Sequence, residues 1–378
     1  MGPIRVLQIF TIMNRGGAES MIMNYYRNID RDKVQFDFLV HRKGKAAFDD
    51  EIKSLGGNIY IMDPINPFFP KEYYDKLRTF FNEHKGYTIV HSHLNTFSSF
   101  PLKIAKEFNI PCRIAHAHTA FENIKLRNFV PNKENVTETV KKLIKFRLRK
   151  KVSTYATHRF SCGDKAGQWL FGKNNDFYTM NNAIDTKKFV YKPETDQKYR
   201  KELNLEGKVL IGHVGRLNNA KNHSYLLRIF ANILEERPDC ILVLVGNGEL
   251  QQAIEQEIDD LGIQDQVRML GVRSDISELL QMMDIFVFPS FYEGLPVTLI
   301  EAQAAGLRIL ASDTITREVK LTDDIEFVSI QKPTSFWVHK IFDILPYKKQ
   351  DNSDKIAKAG YDIGSNTEKI QNFYLNNK

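Results

Sequence analysis

Two successive series of short β-rich runs, each alternating with longer amphipathic stretches, set the strongest limit on how this chain can fold. The first series reads "RVLQIF", "VQFDFLV", "NIYIM", "YTIVHSH", "CRIAHAH" and "HRFSC", with helix-like segments such as 18–28, 71–83 and 98–108 between them. Strand–helix alternation of this kind predicts a parallel sheet covered on both faces. A polar, proline-containing stretch, "YKPETDQKYRKELNLEGK", interrupts the pattern, which then resumes with "VLIGHVG", "CILVLVG", "VRML", "IFVFPS" and "RILAS". The reading is α/β: two doubly wound domains, 1–190 and 191–355, joined near residues 190–207. Residues 356–378 form a C-terminal segment, expected to be a helix crossing back to the first domain. A chain of 378 residues exceeds one ordinary core, which agrees with two domains.

In such sheets ligands bind beyond the carboxyl ends of the strands, and two facing domains are expected to present theirs across one cleft. The residues just after each strand therefore carry the functional argument. After the first strand comes "TIMNRGGAES", where Gly16 and Gly17 precede a helix. Paired glycines there let backbone N–H groups approach an anion, or simply make a turn. Neither this turn nor "GNGE", beginning at Gly246, has the G-x-G-x-x-G spacing, so a nicotinamide or flavin cofactor is disfavoured.

The second series opens on a strand followed by "GRLNNAKNHS". Arg216 and Lys221 bracket the loop leading into a helix, a placement that fits a diphosphate: a guanidinium fork and a point charge. The plainer reading is a solvated pair. Further on, "FYEGLPVTLIEAQAAG" places Glu293 in a strand-end loop and Glu301 among apolar helical residues, with Pro296 expected in the first helical turn. Buried carboxylates are unfavourable without a partner. Glu301 therefore points either to vicinal hydroxyls, such as a ribose diol, or to an ion pair inside the domain.

Two His-x-His pairs, His91/His93 and His116/His118, end adjacent runs. Residues two apart on a strand face the same way, so four imidazoles could gather. They would either ligate a metal, making the chain a metal-dependent hydrolase, or hydrogen-bond one another, with His118 nearest the ligand. Neither motif supplies an acidic ligand.

The formal charge of +7 is concentrated in "KKLIKFRLRKK", where Lys141, Lys142, Lys145, Arg147, Arg149, Lys150 and Lys151 occur without an acid. Val140, Leu143, Ile144, Leu148 and Val152 recur at helical spacing. This is either a solvated helix packing its stripe on the core or a helix lying on an anionic membrane surface. The opening, "MGPIRVLQIF", has no apolar core or cleavage site. With an odd, scattered set of cysteines (Cys112, Cys162 and Cys240), it predicts a cytoplasmic protein, peripheral at most on the inner face of the membrane.

The combination of Gly16–Gly17, "GRLNNAKN", "GNGE", "FPSFYEGLPVTLIEAQAAG" and "ASDTITREV" resembles glycosyltransferase family 4, retaining enzymes of the GT-B fold. The likeness covers about residues 4–320. "GGAESMIMNYYRNID" and "IVHSHLN" look most like its bacterial exopolysaccharide and capsule members. The resemblance implies a nucleotide-sugar donor, here a UDP-sugar, a glycan acceptor on a lipid carrier, and no metal or other cofactor. It implies that Arg216 and Lys221 hold the donor diphosphate. Glu301 would bind the ribose, while Glu293 and His118 would contact the transferred sugar. Gly16, Gly17, Gly246, Val272, Gly294 and Leu295 would line the donor site. Arg308 stands where the family often has proline, and recognisable features fade after residue 321. A sugar-nucleotide epimerase of the same fold is the nearest enzymatic alternative. Acceptor choice is expected from the loops around Asn14, Asn95 and residues 121–133.

Overall fold

A computed structural model of the chain describes residues 2–119 and 133–378, the side chains of 133–142 excepted. Two compact units emerge: 1–183 with 363–378, and 184–362. The first junction thus falls at Ala183/Ile184, ahead of the polar stretch that suggested residue 190. The tail divides at Asp362/Ile363, not at 355/356, and only its final helix joins the first unit.

The first unit holds a seven-stranded parallel sheet: β1 (Ile4–Phe10), β2 (Val34–Val40), β3 (Ile59–Ile61), β4 (Ile89–Ser92), β5 (Cys112–Ala117), β6 (His158–Ser161) and β7 (Tyr178–Thr179). Their spatial order is β3-β2-β1-β4-β5-β6-β7. Register is fixed by pairs such as Gln8↔His91 and His91↔Ile114. All seven residues of β2 are buried, as expected of a strand covered on both faces. The short β7, two exposed residues at the sheet edge, leaves no hydrophobic signature in the sequence.

The second unit holds β8 (Val209–Val214), β9 (Cys240–Val245), β10 (Val267–Met269), β11 (Ile285–Phe288), β12 (Arg308–Ser312) and β13 (Ile325–Val328). The order is β10-β9-β8-β11-β12-β13, again parallel. In each sheet the strand order reverses once, between β1 and β4 and between β8 and β11. These two switch points are where loops diverge to opposite faces and leave room for a ligand.

The last helix, Ile363–Asn376, buries Ile363, Ile370 and Tyr374 in the first unit's core beside Phe36 and Phe38. The basic helix, Lys133–Tyr155, turns Ile144, Leu148 and Val152 toward the opposite core of the same sheet. Leu143, expected in that stripe, is instead 55% exposed, beside Phe146 at 50%. Among the described residues no helix is long and apolar enough to cross a membrane. All three cysteines are buried.

Candidate active site

Three ties bring the loop after β8 against the loop after β11 at the second sheet's switch point. The Phe291 amide donates to the Ala220 carbonyl (2.8 Å), the Asn222 side-chain amide donates to the Pro289 carbonyl (3.1 Å), and Lys221 pairs with Glu293. Asn222 sits in the left-handed region (φ 56°), which lets the chain reverse into the helix His223–Glu236. The Lys221 Nζ lies 2.7 Å from Glu293 Oε1, each side chain 14% exposed, and 4.6 Å from the Phe288 ring centroid. Residues 72 apart in sequence are thereby a charge-assisted pair.

Arg216 has a different setting. Its side chain is 70% exposed and meets Glu249 of the "GNGE" turn at 3.3 Å. That turn packs tightly on the β8 loop: Gly246 has φ +135°, and a Cβ there would fall 2.1 Å from the Gly215 carbonyl oxygen. No other residue type fits. The Gly246 amide donates to the Gly271 carbonyl (2.8 Å), which brings the 50%-exposed Val272 beside the same turn.

Pro296 caps the helix Val297–Ala304 rather than occupying its first turn. Ahead of it, a Cβ on Gly294 would meet nothing within 4 Å. Among the described residues no group accepts from the Gly294 and Leu295 amides. Glu301 projects from that helix, partly buried, and no described side chain or amide partners its carboxylate. Burial raises its pKa to about 7. The internal ion pair considered from the sequence is therefore absent among the described residues.

In the first unit, the helix Gly17–Asn28 begins directly after Gly16, but the space over Gly16 is taken by the Glu19 carboxylate, 2.2 Å from where a Cβ would stand. Gly17 faces open space. Desolvation raises the Glu19 pKa, opposed by a hydrogen bond from its own backbone amide, so this carboxylate sits at the first turn of the helix.

The four histidines gather at the ends of β4 and β5. His91 Nε2 lies 3.1 Å from His116 Nδ1, and His93 Nδ1 lies 2.8 Å from His118 Nε2. The two hydrogen-bonded pairs stack on each other, His91 over His93 at 4.3 Å and His116 over His118 at 4.1 Å. Phe10 stacks on His93 at 4.1 Å. Burial holds all four imidazoles neutral, His118 down to about 3. Ligand atoms of His91, His93 and His116 do lie within 4.8 Å of one another. Stacked rings keep their nitrogens in parallel planes, however, and five of the six nitrogens of these three rings are engaged with one another, His118, Gln8 and Tyr374, His116 Nε2 alone having no partner among the described residues. The arrangement is a hydrogen-bonded quartet, not a converging ligand set, and the hydrolase reading gains no support from it. Only His118 is partly accessible. Asn95 (φ 51°) holds it in place, its Oδ1 accepting from the His118 amide at 2.8 Å.

Sequence reasoning passed over Gln8 and Tyr374, the two groups that close this network. The available signals were a lone amide in an apolar strand, with the inward parity of Val6 and Phe10, and a tyrosine in phase with Ile363 and Ile370. Of the loops expected to choose the acceptor, 121–132 lies outside the described residues, and Asn14 Oδ1 accepts from the Ala47 amide (3.0 Å). A cavity of about 240 Å³ opens at the ends of β1 to β4, lined by Thr11, His41, Arg42, Pro64, Ile65, Leu94 and Phe97.

Two parallel sheets of this topology define the GT-B architecture. HepE of Anabaena, solved in complex with UDP-glucose, superposes with a TM-score of 0.76 at 16% identity, covering 99% of this chain and 100% of its own. The family model for glycosyl transferases group 1 matches residues 195–327. EpsF of Bacillus subtilis (strain 168), which carries a glycosyltransferase name, is 34% identical over 98% of this chain and 96% of its own. CapH of Staphylococcus aureus, a capsular polysaccharide biosynthesis glycosyltransferase by name, is 23% identical over 98% and 99%. The chain belongs to the group 1 glycosyltransferase family and is a glycosyltransferase.

Proposed function

We propose that this enzyme moves a hexosyl residue from a UDP-sugar to a lipid-linked glycan in bacterial exopolysaccharide or capsule assembly, with retention of anomeric configuration. The observation that carries the donor half is Glu301: a partly buried carboxylate on the helix after β11, without a partner among the described residues, raised by desolvation to about 7. Vicinal hydroxyls offer two donors to such a group and restore the solvation it has lost. HepE's complex with UDP-glucose supports the choice of nucleotide, and CapH's name supports the class of product.

Lys221 and Arg216 take the diphosphate, and the Gly294 and Leu295 amides add uncommitted donors beside it. Negative charge grows on the departing diphosphate as the sugar–oxygen bond breaks, so fixed cations and amides there lower the barrier. Entry of the diphosphate draws Lys221 from Glu293, freeing that carboxylate for the sugar's reacting face. Gly246 and Val272 shape the donor's nucleotide end, and of the glycine pair Gly17, which faces open space, is the one assigned to the phosphates, Gly16 being covered by the Glu19 carboxylate. His118 contacts the transferred sugar. The reaction is proposed to need no metal or other cofactor. Asp30 and Asp32 form the sole Asp-x-Asp of the sequence, and Asp30 is paired with Lys33 at 2.8 Å on the turn before β2, away from the strand ends.

The acceptor enters at the β1–β4 strand ends, where Arg42 lines a cavity with apolar neighbours. Arg147, Lys150 and Lys151 are exposed on the basic helix beside Leu143 and Phe146, a composition that fits an anionic, cytoplasm-facing membrane surface holding such acceptors. Arg149 is committed inward, donating to the Leu170 carbonyl at 3.2 Å. Lys145 also has an internal interaction, and the side chains of Lys141 and Lys142 lie outside the described residues. Incubation with a panel of nucleotide sugars, reading thermal shift and nucleotide release, tests the proposal: UDP-sugars should stabilise the protein and others should not.

A further inference from the structure

Gln8 stands in the middle of β1 and is completely buried, facing the same side as Val6 and Phe10. A buried primary amide without partners destabilises a fold by roughly 1–3 kcal/mol, so its contacts are informative. Its Oε1 lies 2.9 Å from His93 Nε2, and its Nε2 lies 3.4 Å from the Tyr374 hydroxyl. A carbonyl oxygen can only accept, so His93 carries its proton on Nε2. His93 is neutral, so its Nδ1 is bare and must be the acceptor in the 2.8 Å contact with His118 Nε2. His118 then holds its own proton on Nε2. Its Nδ1 keeps a lone pair, which no described residue engages.

The second row runs with the same polarity. Tyr374 accepts from the Gln8 amide and donates to His91 Nδ1 at 2.8 Å, and His91 Nε2 donates to His116 Nδ1 at 3.1 Å. One amide orientation therefore sets the proton positions in both rows of the quartet, and it leaves the His116 proton on Nε2, a buried atom with no partner among the described residues. Turning the amide over would invert each contact and move the His118 proton to Nδ1.

We infer that Gln8 is a positioning residue which, through His93, fixes the tautomer of His118 so that Nδ1 is a hydrogen-bond acceptor for a hydroxyl of the transferred sugar. This rests on the reading of His118 as a sugar-facing group. A sugar bearing a hydroxyl at that position donates to Nδ1. An analogue with fluorine in its place can only accept, and meets a lone pair.

Long-range proton–nitrogen correlation spectra of the full chain, labelled at histidine, test the inference directly. The His118 signals are assigned by their loss in His118→Ala. The expected spectrum shows His118 protonated at Nε2 and bare at Nδ1. In Gln8→Met, whose folding is followed by melting temperature, the His118 signals shift toward a mixture of tautomers. Transfer kcat/KM should fall about tenfold, the size of one weakened hydrogen bond, while affinity for free nucleotide is unchanged. A His118 proton on Nδ1 in the unaltered protein, or an unchanged tautomer in a folded Gln8→Met, overturns the inference. If Gln8→Met does not fold, the unaltered protein's spectrum alone decides. Full transfer by His118→Ala would instead remove the sugar-facing role of His118 while leaving the tautomer assignment standing.

Discussion

Lys221 Nζ lies 2.7 Å from Glu293 Oε1, and both side chains are largely shielded from water. The two residues expected to serve opposite ends of a donor, its diphosphate and its sugar, are each other's partner. Removing one leaves the other as a shielded, uncompensated charge. Lys221→Ala should therefore lower stability by roughly 1–3 kcal/mol, visible as a lower urea midpoint at unchanged slope. Lys221→Ala combined with Glu293→Ala should recover much of that loss. An additive double mutant would show that the pair does not interact.

Glu301 gives a pH dependence with a definite sign. Its folded pKa, about 7, lies above the usual carboxylate value, so between about 4.5 and 7 the folded protein binds the extra proton. This group's contribution to stability is present at low pH and lost as pH rises through 7. Ligand hydroxyls favour the ionised form, so nucleotide affinity should increase from pH 6 to pH 8. Calorimetric titration of nucleotide across that range checks this, and Glu301→Gln should flatten the profile.

The histidine quartet gives the opposite slope. Its imidazoles are neutral in the folded protein, with His118 held down to about 3 and the others well below the ordinary value of 6.5. Below 6.5 the unfolded chain binds more protons, so stability falls as pH drops from about 6.5 toward 3. Buried His213 and His223 of the second unit act in the same direction. The melting temperature should be nearly level above pH 7 and fall steadily from pH 6.5 to pH 4. A level curve across the acid range would contradict the neutral quartet.

Replacing Arg147, Lys150 and Lys151 by glutamate reverses exposed charge without touching the core-facing Ile144, Leu148 and Val152. Co-sedimentation with vesicles containing anionic lipid should be lost, and binding to neutral vesicles should be unaffected. Each exposed cation contributes about 1 kcal/mol at such a surface, so three reversals should lower binding at least a hundredfold. Unchanged sedimentation would remove the membrane role.

The strands with apolar signatures, both switch-point loops, including Glu293, and the helix carrying Glu301 were legible because parallel strands buried on both faces leave continuous apolar runs. Turn residues mark their ends. The edge strand β7 was not legible, since two exposed residues carry no such run. β13, with the pattern "IEFV", is only half buried. The unit boundary was misplaced because polarity marks exposed helix as readily as linker. Residues 193–202 are helical, with no fully buried position. Among site residues, what sequence could not supply was pairing across long separations. Glu293 and Lys221 were each read as ligand groups, but their contact depends on loop ties between β8 and β11. Gln8 escaped notice because its importance lies in two atoms that only the folded sheet brings beside His93 and Tyr374.

The most direct measurement of the central claim is donor turnover by Glu293→Gln compared with the unaltered enzyme, using the UDP-sugar that gives the largest thermal shift. Glutamine preserves shape but removes the charge from the sugar's reacting face. The account predicts UDP binding within a few-fold of the unaltered protein and transfer reduced by at least about a hundredfold. Transfer by Glu293→Gln at the unaltered rate would contradict it, as would an unaltered enzyme that binds and turns over no UDP-sugar.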